Sequence, residues 1–224
     1  MLVPASPSRI TKILLCVVGF LAAASLVGQI ICRCRGWHPI PPIIHTFDLN
    51  KEWNIPSFYS CLLLAYAAGL LLIIGIRKTK LRGQSSGCWL MLGLLFVYLA
   101  FDELAGIHEG FNVFHYQPRF FAAWIPVGVI CVLILFLVCN RFIKALPSAT
   151  RRLFMLSGGV FISGALGLEA IDDVLVNIKA YPKAGMIHVL FCSAEEMLEM
   201  IGVIIFIYAL IHYHNTYLIA ENPE

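Results

Sequence analysis

The sequence predicts an all-α fold: a polytopic helical bundle of about six transmembrane helices, in a single domain covering residues 1–224, with both termini in the cytoplasm. Three observations support it. The 224 residues are 60% hydrophobic and only 13% charged, with mean hydropathy +0.85. Six stretches, about 10–32, 57–76, 88–109, 119–141, 152–174 and 187–212, each reach the roughly 18 apolar residues that cross hydrocarbon as a helix. They occupy most of the chain and leave no length for a separate soluble domain. The basic residues are also unevenly placed. With six spans and the N-terminus inside, the inner segments hold ten Lys and Arg: Arg9, Lys12, Arg77, Lys78, Lys80, Arg82, Arg141, Lys144, Arg151 and Arg152. The outer segments hold six, namely Arg33, Arg35, Lys51, Arg119, Lys179 and Lys183, which is the bias of the positive-inside rule.

Each element follows in order. Arg9 and Lys12 open the first span, and Ala22-Ala23-Ala24 resembles a signal-peptide cleavage site. The apolar run continues through Leu26, Val27, Ile30 and Ile31, so an uncleaved helix is expected. The first outer loop contains Asp48-Leu49-Asn50-Lys51-Glu52-Trp53-Asn54-Ile55, whose oxygens recur like the first half of an EF-hand loop. Trp53 stands where such a loop needs glycine, and Tyr59 where it needs its bidentate Glu, so a structured loop is expected instead. Its acids are expected near the mouth of a polar cavity. Pro56 in the first turn, or Ser57 as a cap, would open the second span. The third carries Asp102, Glu103, His108 and Glu109; the fourth carries no acid. The fifth carries Glu169, Asp172 and Asp173, and the sixth His188, Cys192, Glu195, Glu196 and Glu199. Five of the eight cysteines lie within spans, where cysteine serves as a small apolar residue. Cys32-Arg33-Cys34 is too closely spaced for a mutual disulfide.

The acids are the functional signal. Nine of the thirteen lie inside or at the ends of the third, fifth and sixth spans, where no Lys or Arg accompanies them. A charge at mid-membrane depth costs about 2.5–3.5 kcal/mol on insertion scales, so protons, water or a bound cation must neutralise them. Residues three, four and seven apart share a helix face. His188, Cys192, Glu195 and Glu199 form one stripe with Glu196 at its flank. Glu169, Asp172 and Asp173 continue the face of Gly158, Phe161, Ile162 and Ala165, while Asp102 and Glu109 stand a heptad apart around Ala105 and Gly106. The small residues allow close helix approach. Asp102 lies about 10 Å from the end of its span and Glu195 about 10 Å inside its own, so one outward-opening pocket is expected.

Oxygen-rich sites with one or two histidines suit divalent metals. The expected ligands are Asp102, Glu103, His108, Glu109, Glu169, His188, Glu195, Glu196 and Glu199. Glu103 and Glu196 are candidate general bases for a metal-bound water. Asp172 and Asp173 read more simply as headgroup-level acids, and Cys192 as packing. The Glu-x-x-His pairs of di-iron bundles are absent.

The segments Phe47-Asp48-Leu49-Asn50, Asn54-Ile55-Pro56, Asp102-Glu103 with Ile107-His108-Glu109, Gly164-Ala165-Leu166-Gly167-Leu168-Glu169 and Glu195-Glu196-Met197-Leu198-Glu199-Met200 resemble a group of bacterial multi-pass membrane proteins of unassigned function, over about 45–212. The resemblance implies a six-span bacterial inner-membrane protein and no substrate. Membrane ceramidase-like hydrolases need three His and a Ser in a set pattern, and only His108 and His188 are well placed here. The bilayer is the expected partner, with a lipid or lipid-linked molecule as a reachable substrate and nucleic acid excluded. A membrane hydrolase or oxidoreductase, a cation or proton transporter, and a structural or partner-binding subunit all stay open.

Overall fold

A computed structural model describes residues 6–37, 40–80, 86–107, 124–182 and 185–218. Every regular element among them is helical: α1 (Pro7–Arg35), a single turn α2 (Pro42–His45), α3 (Ile55–Lys80), α4 (Ser86–Ala105), α5 (Ile125–Ala145), α6 (Ser148–Asn177) and α7 (Met186–Tyr213). A π turn, His214–Leu218, prolongs α7. Five of them, α1, α3, α4, α5 and α6, are long and apolar enough to cross a membrane. Their outward residues suit lipid: Phe20, Leu94, Phe101, Ile134 and Leu137 are all more than half exposed.

The sixth expected span corresponds to α7, which forms the axis of the bundle. It packs against α1, α3 and α6, and Ile204, Ile207, Ala209 and Leu210 are fully buried. α3 and α4 run antiparallel, as do α6 and α7, each pair joined by a short connection. In α3 and α4, Gly75 lies against Leu90 and Gly93 against Leu72. In α6 and α7, Gly164 lies against Glu195 and Leu198, and Gly202 against Phe161. At these crossings the missing Cβ is what lets the backbones approach. The far end of the bundle is closed by aromatics. Trp89, 1% exposed, meets Phe142, Phe154 and Tyr213 at ring distances of 5.0, 5.9 and 4.9 Å, and Phe206 stacks on Phe96 and tilts against Phe154.

Two irregularities position the acids. Gly106 takes φ 60° and donates its N–H to the carbonyl of Asp102 at 2.7 Å, which ends α4 just after Glu103. The regular helix expected to continue to Glu109 is interrupted at Gly106; Glu109 itself lies outside the described residues. Glycine adopts this left-handed conformation without the Cβ penalty. Second, α6 is α-helical over Ser148–Ile162, π-helical over Ser163–Leu168, and α-helical again over Glu169–Asn177. One extra residue per π turn rotates everything beyond it by about 100°. The α-phase argument that set Glu169 and Asp172 on the face of Gly158 therefore fails across this turn.

The segment between α1 and α3 differs from expectation. It folds back along α1, with Ile44 against Gly28, Leu49 N–H donating to Ser25 Oγ and Tyr59 Oη donating to the Leu14 carbonyl. Asp48 is 1% exposed and accepts from Gln29 Nε2 at 2.7 Å and from Asn50 N–H at 3.1 Å, while Arg33 donates to Gln29 Oε1 at 2.7 Å. This acid is a structural tie, not part of a cavity mouth. Nor does Ser57 cap α3. Asn54 does, with its Oδ1 accepting the Ser57 N–H and Ser57 Oγ accepting the Asn54 N–H, a reciprocal capping box. Asp48→Ala leaves the Gln29 amide without its partner, and a loss of about 1–3 kcal/mol is expected, measured as a lower melting temperature of the detergent-solubilised protein.

Candidate metal centre

Asp172, in the last α-helical part of α6, and His188, in the first turn of α7, face each other across the α6–α7 connection. His188 Nδ1 donates to Asp172 Oδ2 at 2.6 Å. Tyr181, from the connection itself, donates its hydroxyl to Asp172 Oδ1 at 2.5 Å. All three are buried. Burial, reinforced by the bond to Asp172, raises the Tyr181 pKa above its usual 10.0, so the phenol stays protonated and a donor. Both carboxylate oxygens are thus engaged, and Asp172 holds the His188 ring through Nδ1, with Nε2 as the nitrogen not bound to it.

One turn further along α7, Cys192 Sγ lies 3.7 Å from His188 Nδ1 and 3.8 Å from Nε2. Near-equal distances put the sulfur off both nitrogen axes. That alignment does not suit proton transfer from thiol to imidazole, so Asp172, His188 and Cys192 are not a nucleophilic triad in this arrangement. They do place one carboxylate oxygen, one ring nitrogen and one sulfur within 4.8 Å of one another.

Behind this group the acids run down α7. Cys192 is within electrostatic reach of Glu195, Asp172, Glu196 and Glu169. Glu195 feels Glu169, Glu196, Asp172 and Asp173, and Glu199 feels Glu103, Glu195, Glu169 and Asp102. Acids of α4, α6 and α7 thus share one region, strung over about 16 Å of α7 from His188 to Glu199. The π turn and Gly164 set the α6 side. A Cβ on Gly164 would stand 2.8 Å from the Glu195 carbonyl oxygen and 3.3 Å from Glu199 Cγ. Trp124, just before α5, donates Nε1–H to Glu169 Oε1 at 2.8 Å. Among the described residues no hydrogen bond reaches the Glu195 or Glu199 carboxylate.

Of the residues singled out from sequence, Asp102, Glu103, Glu169, His188, Glu195, Glu196 and Glu199 lie in this region; His108 and Glu109 are outside the described residues. Sequence reasoning set aside Asp172 and Cys192 and overlooked Tyr181 and Trp124. The spacing of His188 and Cys192 on one face was a usable signal. The pairing of Asp172 with Tyr181 was not, because it depends on the path of the connection and on the phase shift in α6.

No curated protein and no solved structure matches the chain. A family match extends over residues 12–213, and the chain belongs to that family, the domain of unknown function DUF8692.

Proposed function

We propose that this is a six-span membrane protein that binds a divalent metal ion in a pocket between α4, α6 and α7, open toward the outer face. The observation that carries the reading is the Asp172–His188–Cys192 group, with its donor atoms within 4.8 Å, beside a cluster of carboxylates from three helices. Clustered carboxylates repel one another unless a cation stands among them. Glu169, Glu195, Glu196 and Glu199, with Asp102 and Glu103 of α4, supply that negative field, and His108 and Glu109 are further ligand candidates by sequence. In this reading the basic ends of α3, α5 and α6 face the cytoplasm, with both termini.

A metal-bound water is the natural nucleophile of such a site, with Glu103 or Glu196 as general base and a lipid or lipid-linked molecule as substrate. A through-path for ions is less well supported. Below Glu199 the axis is filled by Met200, Val203, Ile204, Phe206 and Ile207, all buried, which favours a one-sided site. Elemental analysis of the protein purified in detergent tests the proposal. Stoichiometric metal is expected in the native chain, with at least a tenfold loss of affinity, about 1.4 kcal/mol, in His188→Ala. A metal-free native protein that takes up none of Zn, Co, Mn or Mg on dialysis sinks the proposal.

A further inference from the structure

The donor geometry narrows the kind of metal, and this step rests on the metal-binding reading above. We infer that His188 Nε2 and Cys192 Sγ are direct ligands of a zinc-type transition metal, and that Asp172 and Tyr181 are positioning residues.

The first support is the hydrogen bonding of the imidazole. Metal-bound histidines commonly donate their second ring nitrogen to a carboxylate, which fixes the tautomer and aims the free nitrogen at the ion. His188 has that arrangement, with Nδ1 donating to Asp172 at 2.6 Å. Asp172 is in turn held by Tyr181 on its other oxygen. A carboxylate engaged on both oxygens by protein donors acts as an orienting group rather than a ligand. The cluster of candidate donors is thereby split into an ion-facing pair and a supporting pair.

The second support is the spacing of the ion-facing pair. Zinc–nitrogen and zinc–sulfur bonds of about 2.0–2.1 and 2.3 Å at a tetrahedral angle set the two donors about 3.6 Å apart. His188 Nε2 and Cys192 Sγ are 3.8 Å apart. The sulfur lies equally near Nδ1, so sharing an ion with Nε2 requires it to swing outward, through rotation about the Cys192 Cα–Cβ bond. A nitrogen and a sulfur ligand are a donor pair that zinc-type sites use, with the remaining positions left to a further ligand or water. A sulfur donor selects against Mg and Ca, which take oxygen ligands.

The test uses the full-length protein in detergent, loaded with Co(II) alone. A thiolate-to-cobalt charge-transfer band in the near ultraviolet is expected, together with the intense visible bands of tetrahedral Co(II). Cys192→Ser is expected to abolish the charge-transfer band. Asp172→Asn is expected to keep the band while weakening cobalt affinity about 10–100-fold. X-ray absorption on the unmutated cobalt protein provides a reading independent of whether any variant folds, and one sulfur at about 2.3 Å is expected. Cobalt bound without any sulfur ligand, or a charge-transfer band that persists in folded Cys192→Ser, overturns this assignment while leaving metal binding intact. Failure of the native protein to bind cobalt or any other divalent ion overturns both.

Discussion

Trp89→Ala is expected to lower the stability of the solubilised protein by about 3–5 kcal/mol, the cost of removing a large buried aromatic. Trp89 is 1% exposed and touches rings from three helices: Phe142 of α5, Phe154 of α6 and Tyr213 of α7. Its loss leaves a cavity that no single neighbour can fill, since Phe142 and Phe154 approach it edge-on from different helices. In a membrane the apolar effect gives helices little reason to prefer one another over lipid, so packing complementarity carries association. α5 is the most sensitive partner, because few of its other residues are buried: Ile125, Cys139 and Phe142. Unfolding by a denaturing detergent, followed by tryptophan-independent far-ultraviolet dichroism, measures the change. A loss under about 1 kcal/mol would mean that the aromatic cluster does not hold this end of the bundle.

Gly164→Val is the second large effect, and it couples packing to the candidate site. The added Cβ would meet the Glu195 carbonyl oxygen at 2.8 Å and Leu198 Cβ at 3.1 Å. The first of these is backbone and cannot rotate away. α6 and α7 must separate, at a cost of about 1–3 kcal/mol from overpacking. The same shift moves Glu195 and Glu199 relative to Asp172 and His188, so cobalt affinity is expected to fall at least about tenfold. Gly159→Val is the matched control. It lies on the same helix, a Cβ there meets nothing within 4 Å, and a change within about 0.5 kcal/mol is expected. Equal behaviour of the two variants would contradict the close approach at Gly164.

Much of the helical framework was legible in the residues. Long apolar runs announced the helices α1, α3, α5 and α6, because hydrocarbon length and backbone satisfaction leave a spanning segment little choice but helix. Small residues on the fifth span signalled a close helix approach, which Gly164 makes, whereas the contact at Gly202 was not read from the sequence. The local features that were misread are those where one side chain overrides periodicity. Asn54 outcompetes Ser57 as the cap of α3 because its side chain and that of Ser57 satisfy each other's backbone N–H. Asp48 looked like a loop acid and is instead buried against Gln29, since the chain after α1 turns back along that helix.

The sequence alone determined that this is a helical chain of membrane composition, and that its acids and His188 belong to three segments. The rule behind that is local: carboxylates among apolar residues are costly wherever they sit, so their presence is informative without coordinates. Only the tertiary structure decided which of them act together. The π turn at Ser163–Leu168 rotates Glu169 and Asp172 away from the α-helical register, and the connection after α6 delivers Tyr181 to Asp172. Those two events turn an acid that looked peripheral into the residue that orients His188. The reason is that hydrogen-bond partnerships across helices depend on backbone phase and path, and one inserted residue changes both.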